Sequence, residues 1–111
     1  MMDKDTEEAE VLAGCMEVLD TLGIYHWRQN TGAFKTQSGG FFRSSKAGVS
    51  DILGILPSGK FLAVECKRPV GGVLSEAQKE FLHHIADNNG IAIVTSNPMT
   101  LYDALKKELA K

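Results

Sequence analysis

The stretch that decides the fold is Asp51–Lys67, DILGILPSGKFLAVECK. Its two apolar runs, Asp51–Leu56 and Lys60–Lys67, flank Pro57-Ser58-Gly59, which reads as a type I turn with proline at its second position and glycine in the left-handed region. The pattern predicts a β-hairpin. If this loop closes it, Leu56 faces Lys60, and stepping outward pair by pair brings Asp51 opposite Glu65. Opposed residues share a face of the sheet, and Lys67, two positions further on, points to that face as well. Two carboxylates and an ammonium therefore converge at the open end of the hairpin.

Charged side chains are almost never buried unless paired or coordinated, yet these three sit in otherwise apolar strands. Two carboxylates facing each other at ~5 Å between Cβ atoms repel unless a cation lies between them. Hard oxygen donors of this kind suit Mg²⁺ or Mn²⁺, and a lysine beside such an ion is placed to orient a water that must be deprotonated. The plainer reading is that Asp51 caps a turn while Glu65 and Lys67 pair with neighbours on an edge strand, because a bare D-x13-E-x-K string arises by chance in many proteins. What favours convergence is that the aspartate begins one strand and the E-x-K ends the other.

Outward from the hairpin, Thr6–Leu22 carries Leu12, Cys15, Met16, Leu19 and Leu22 at helical spacing, with Asp5 or Thr6 as the expected cap and Gly23 as the stop. Residues 24–43 shift to aromatic and β-branched stretches broken by glycines, expected to hold one or two strands and a loop. Ser75-Glu76-Ala77-Gln78 is a capping box opening a helix whose apolar stripe is Phe81, Leu82, Ile85 and Ala86, ending at Asn89-Gly90. Ile91–Thr95 reads as a short strand and Pro98–Ala110 as a last helix. The order α, β, β, β, α, β, α, with a helical crossover after the hairpin, calls for a mixed four-stranded sheet with helices on both faces.

A chain of 111 residues, 43% hydrophobic and 23% charged, is expected to form one soluble domain. The two cysteines, Cys15 and Cys66, have neither disulfide-framework nor zinc spacing and are expected to be free thiols, Cys66 as core filler. With no long apolar run and an acidic N-terminus, a cytoplasmic protein without membrane association is expected. The net charge of −2 speaks at first against a nucleic-acid partner. Resolved along the chain, it changes meaning. Residues 1–20 hold seven acidic residues and one basic, whereas residues 21–70 hold seven basic residues and two acidic, and those two are Asp51 and Glu65. A basic block around a cation site suits phosphate contacts. Trp27, Phe41 and Phe42 have the chemistry to stack on bases, with core or dimer packing the simpler role. His26, His83 and His84 lack ligand spacing, and the adjacent pair is expected to be exposed.

Gly48-Val49-Ser50-Asp51, the run Gly59-Lys60-Phe61-Leu62-Ala63-Val64-Glu65-Cys66-Lys67-Arg68-Pro69 and Leu74-Ser75-x-x-Gln78 together resemble the VRR-Nuc family of the PD-(D/E)XK nuclease superfamily. Gly23-Ile24 followed by Trp27-Arg28-Gln29-Asn30-Thr31-Gly32 extends the resemblance, which runs from about Glu7 to Thr95. It implies a restriction-endonuclease-like α/β core, αβββαβ plus a C-terminal helix, forming one nuclease domain over residues 1–111. It also implies a Mg²⁺- or Mn²⁺-dependent deoxyribonuclease that is structure-selective, of Holliday-junction or flap type. The alternatives are a non-catalytic DNA-binding module with the same fold and a sequence-specific restriction-like nuclease.

On the residues that match, the resemblance makes Asp51 and Glu65 metal ligands, adds the Cys66 carbonyl as a ligand and makes Lys67 the catalytic lysine. Ser50 departs from the proline usual before the aspartate. The family also places an acidic residue of the first helix near the metal. At 100° per residue, Glu8 falls on the face of Leu12, Cys15, Met16 and Leu19, while Glu10 and Glu17 fall opposite, so Glu8 is the choice, acting through water. Gln78 is expected either to cap its helix or to join the site. Arg28, Asn30, Lys35, Arg43, Lys46 and Arg68 are the expected DNA contacts. One small core has one active site, so cutting two strands favours a homodimer, with Phe41, Phe42 and the last helix as candidate interface.

Overall fold

The structure, a computed structural model, describes residues 4–29, 33–35, 39, 41–43 and 46–111, the side chains of 4–6, 33–35 and 41–43 excepted. Its elements are α1 (Lys4–Leu22), β1 (Tyr25–Arg28), β2 (Ala33–Lys35), β3 (Phe41–Arg43), β4 (Ile52–Ile55), β5 (Phe61–Cys66), α2 (Glu76–Asp87), β6 (Ile91–Thr95) and α3 (Pro98–Leu109). Strands β1, β4, β5 and β6 form one sheet in that order. The β1/β4 and β4/β5 pairs are antiparallel and β5/β6 is parallel, the mixed topology that the helical crossover through α2 requires. The β2/β3 pair forms a separate antiparallel ribbon, so among the described residues of 24–43 there are three strands, of which β1 joins the main sheet.

The hairpin register is the expected one. Ile55 faces Phe61, Gly54 faces Leu62, Leu53 faces Ala63 and Ile52 faces Val64. The turn is closed by Gly59 N–H donating to Leu56 O at 2.8 Å, with Gly59 at φ 92°. Strand β5 is central and buried on both sides. Its Leu62, Val64 and Cys66 join Cys15, Leu19, Leu101 and Leu105 in the core under α1 and α3. Its Ala63 packs with Leu53 and Leu82 under α2. Glu65 belongs to the second set by the alternation of strand side chains, so a carboxylate is carried into an apolar layer.

Several local expectations are refined. α1 begins at Lys4, ahead of the expected caps. Trp27 does not enter the core: it is 36% exposed and stacks edge-on against Tyr25, with ring centroids 5.9 Å apart. α3 directs Leu101 and Leu105 into the protein's own core and leaves Met99 and Leu109 outside, so little of its apolar face remains for a partner. The side chains of Phe41 and Phe42, the other half of that expected interface, lie outside the described residues. His83 and His84 are exposed, as expected.

The segment leading into Asp51 is pressed onto the start of α2. At Gly48, φ is 82° and a Cβ would stand 2.3 Å from Ala77 O, so both conformation and space demand glycine. Gly59 has a similar φ but open space around it. Gly48→Ala is therefore expected to lower stability by more than Gly59→Ala, whose cost is the left-handed penalty of about 1 kcal/mol. Denaturant unfolding of the two variants measures the difference, and equal losses would contradict this account of the contact.

Candidate active site

The β4/β5 ladder ends at Ile52–Val64, one step short of Asp51 and Glu65. Beyond it the strands are joined through a side chain: Cys66 N–H donates to Asp51 Oδ2 at 2.8 Å. The Asp51 main-chain carbonyl accepts from Gln29 N–H at 2.7 Å, which anchors the aspartate to the end of β1. Asp51 is thus held between two strands at the point where the sheet opens.

Glu65 is 2% exposed. Its Oε1 accepts from Gln78 Nε2 at 2.9 Å and lies 3.9 Å from Lys67 Nζ, while its Oε2 is buried without a hydrogen-bond partner. Burial first, and then the charge of Asp51, push the Glu65 carboxyl up to about 8, against the opposing pull of Lys67. The charge of Glu8 adds to the upward push. An orphaned, buried carboxylate oxygen beside a second carboxylate is an arrangement that a bound cation relieves.

Lys67 lies beyond the end of β5, anchored by its N–H donating to Thr95 O at 3.0 Å. Its Nζ donates to Gln78 Oε1 at 3.3 Å. The same Gln78 oxygen accepts from Ser75 N–H at 2.8 Å, and Ser75 Oγ accepts from Gln78 N–H at 3.1 Å, completing the capping box of α2. Gln78 therefore caps its helix and also contacts Glu65 and Lys67. Its oxygen caps the helix and receives the lysine, while its amide nitrogen holds the glutamate.

On the other side of Asp51, Glu8, Ala9, Leu12, Arg28 and Cys66 line a cavity of about 250 Å³ together with the aspartate. Glu8, chosen by the helical wheel, lies on the wall that Asp51 also lines. Arg28 also faces this cavity. Lys46 and Arg68 do not line this cavity. Lys46 is exposed beside Ala77, Glu80, Phe81 and His84 on the α2 side, and Arg68 turns into its own loop. Asn30 and the side chains of Lys35 and Arg43 lie outside the described residues. Among the described residues no group of three or more His, Cys, Asp or Glu side chains is gathered to hold a metal by itself, so further donors would have to come from the main chain or solvent. The Cys66 thiol packs against Cys15 in the core, and hydrogen bonding to Cys15 together with burial pushes it well above the usual range, which leaves it a neutral core group.

Reading from the sequence alone did not single out Gly48 or Gly72. Both are identified by what a Cβ would strike, Ala77 O for Gly48 and Lys67 Cβ at 2.9 Å for Gly72. Gly48 stands in the stretch that carries the family resemblance, without a role assigned there, and Gly72 carried no sequence signal.

The elevated Glu65 carboxyl makes stability depend on pH. Between its ordinary value near 4.5 and about 8, the folded protein binds more protons than the unfolded chain, so metal-free stability falls as pH rises through that window and is lowest above it. Glu65→Gln removes the ionisation and is expected to raise the Tm of chelator-treated protein above pH 8 by at least ~4 °C, the shift produced by about 1 kcal/mol in a domain of this size. The gain should shrink toward acid pH. Calorimetry across pH checks this, and a Glu65→Gln protein less stable than wild type at alkaline pH would contradict it.

Residues 10–96 match the family model described as the VRR-NUC domain. Comparison with curated proteins and with solved structures gave no match. Among the described residues no helix is long and apolar enough to cross a membrane. With most of its length matched and its mixed sheet and helices arranged as in the PD-(D/E)XK-like fold, the chain belongs to the VRR-NUC family, a nuclease-type domain that acts on DNA.

Proposed function

We propose that this protein is a structure-selective DNA endonuclease that hydrolyses phosphodiester bonds with Mg²⁺ or Mn²⁺. PD-(D/E)XK-like nucleases generally use divalent metals. The observation that carries the reading for this chain is the buried Glu65 Oε2, left without a partner beside the carboxylate of Asp51. Asp51, Glu65 and the Cys66 carbonyl would hold the ion, with Glu8 reaching it through water. The bound ion supplies charge that polarises the scissile phosphate and lowers the pKa of water.

The chain's own residues account for the rest. Cys66 N–H fixes one oxygen of Asp51 and leaves the other available. Gln78 fixes one oxygen of Glu65 in the same way. Lys67 Nζ, held between Gln78 and Glu65, orients the attacking water and steadies negative charge as it develops on the phosphate. Arg28, on the cavity wall with Asp51, is placed to contact a neighbouring phosphate. Recognition by DNA shape suits so small a core better than base readout, and two cuts in a branched substrate call for a second copy of the chain, so the functional unit is a homodimer.

Incubation with labelled duplex, flap, four-way junction and single strand in Mg²⁺ or Mn²⁺ tests the proposal. Wild type is expected to cut branched DNA in preference to linear duplex, and chelation to stop it. Lys67→Ala should lower kcat about 100- to 1,000-fold, the range seen when one donor to developing charge is removed. Asp51→Asn and Glu65→Gln should abolish cutting. No cleavage of any substrate, or full activity of Lys67→Ala, would overturn the catalytic reading in favour of a DNA-binding module. Cutting restricted to particular duplex sequences would favour a restriction-like enzyme.

A further inference from the structure

The segment after Lys67, residues 68–74, folds back onto the lysine that leads into it. The Arg68 guanidinium donates to two carbonyls of its own loop, Nε to Val70 O at 2.9 Å and Nη2 to Gly71 O at 2.8 Å. Gly71 adopts φ 80°, and a Cβ on it would lie 3.1 Å from Arg68 Nη2. At Gly72 a Cβ would stand 2.9 Å from Lys67 Cβ and 3.1 Å from Arg68 O. The chain is therefore wound into a tight turn whose inner side presses on the root of the Lys67 side chain. Its outer side is in solvent, with Val70 81% and Val73 77% exposed, so apolar burial of these side chains does not hold the turn. Within the turn the ties are the two guanidinium hydrogen bonds, while Leu74 anchors the far end of the segment against Leu53, Ala63 and Leu82.

A lysine has a flexible four-carbon stem, and its ammonium is well placed only if that stem is restrained. Gln78 Oε1 restrains the tip. Contact with Gly72 restrains the root, where one torsion change would swing Nζ away from Glu65. The two bonds leave from separate nitrogens of one planar group, Nε and Nη2, and a lysine, whose single nitrogen ends the stem and which has a methylene at the position of Nε, cannot reproduce the pair in this geometry.

We propose that Arg68 is a positioning residue for the reaction: by tying the carbonyls of Val70 and Gly71 it seats Gly72 against Lys67 Cβ and so holds the Lys67 ammonium beside Glu65 and Gln78. This rests on the reading of Lys67 as the group that acts on the attacking water. It differs from the sequence-based expectation that Arg68 contacts DNA, because a phosphate contact is a point-charge role that lysine fills as well. The two roles separate in the variant Arg68→Lys, which keeps the charge and loses the bridge.

The experiment is steady-state cleavage of the preferred DNA by wild type, Arg68→Lys, Gly72→Ala and Lys67→Ala. It is accompanied by Tm, Mn²⁺ titration by calorimetry and amide exchange of residues 70–73. Arg68→Lys and Gly72→Ala are expected to lower kcat ~10- to 100-fold, as a misplacement near 1 Å does, with KM within about twofold of wild type. Mn²⁺ affinity should be retained and loop amide exchange in Arg68→Lys accelerated. Gly72→Ala changes no charge, so it reports on the seat of Lys67 even if Arg68→Lys lowers the Tm. Wild-type kcat in both variants overturns the proposal, as does a loss in Arg68→Lys confined to KM and salt dependence, which would make Arg68 a phosphate contact. Full activity of Lys67→Ala instead overturns the underlying reading of Lys67. An inactive Lys67→Ala beside fully active Arg68→Lys and Gly72→Ala leaves that reading standing and removes only this one.

Discussion

A carboxylate buried beside another carboxylate is the costly feature around which the molecule is organised. Glu65 sits in the central strand at 2% exposure with Asp51 next to it, and burial and like charge both disfavour its ionised form. The surroundings offset part of that cost through Gln78 Nε2 and the Lys67 ammonium, and leave one oxygen without a partner. A chain selected for stability alone would place a leucine or valine at this position.

The supports of the pair are backbone features as much as side chains. The ladder opens one residue before Asp51, and the freed Cys66 N–H becomes a donor to the carboxylate. Helix α2 begins where its cap can serve two ends: Ser75 and Gln78 satisfy the first-turn donors, and the same glutamine reaches Glu65 and Lys67. Gly48 and Gly72 permit the two approaches that bring the flanking loops close, one onto Ala77 and one onto Lys67. Helix stability and site geometry are coupled here, because a side chain with one acceptor and one donor group performs both tasks.

Charge is distributed to match. Arg28 looks into the cavity walled by Asp51 and Glu8, whereas Arg68 uses two of its donors within its own loop. Basic residues that look equivalent in composition therefore divide into outward and inward roles, a division set by where the backbone carbonyls lie. The exposed Tyr25–Trp27 pair on edge strand β1 shows the same limit for aromatic residues: aromatic and β-branched composition marked strand in this region, but which side would be covered depended on how far α2, which packs on β5 and β6, extends over the sheet.

The hairpin register, the capping box, the helix stops and the convergence of Asp51, Glu65 and Lys67 were legible in the sequence, because each follows from local rules: turn length, strand alternation and helical period. The choice of Glu8 over Glu10 and Glu17 followed from the same helical period. Glu8 shares a cavity wall with Asp51. The separate β2/β3 ribbon, the inward turn of Arg68, the exposure of Trp27 and the double duty of Gln78 were decided by tertiary structure. Each depends on which distant backbone group or surface lies within reach, and a one-dimensional pattern records spacing along the chain but not distance across it. The unpartnered oxygen of Glu65 belongs with these: the sequence placed a carboxylate in the core, and only the packing of α2 determined which of its two oxygens would be satisfied.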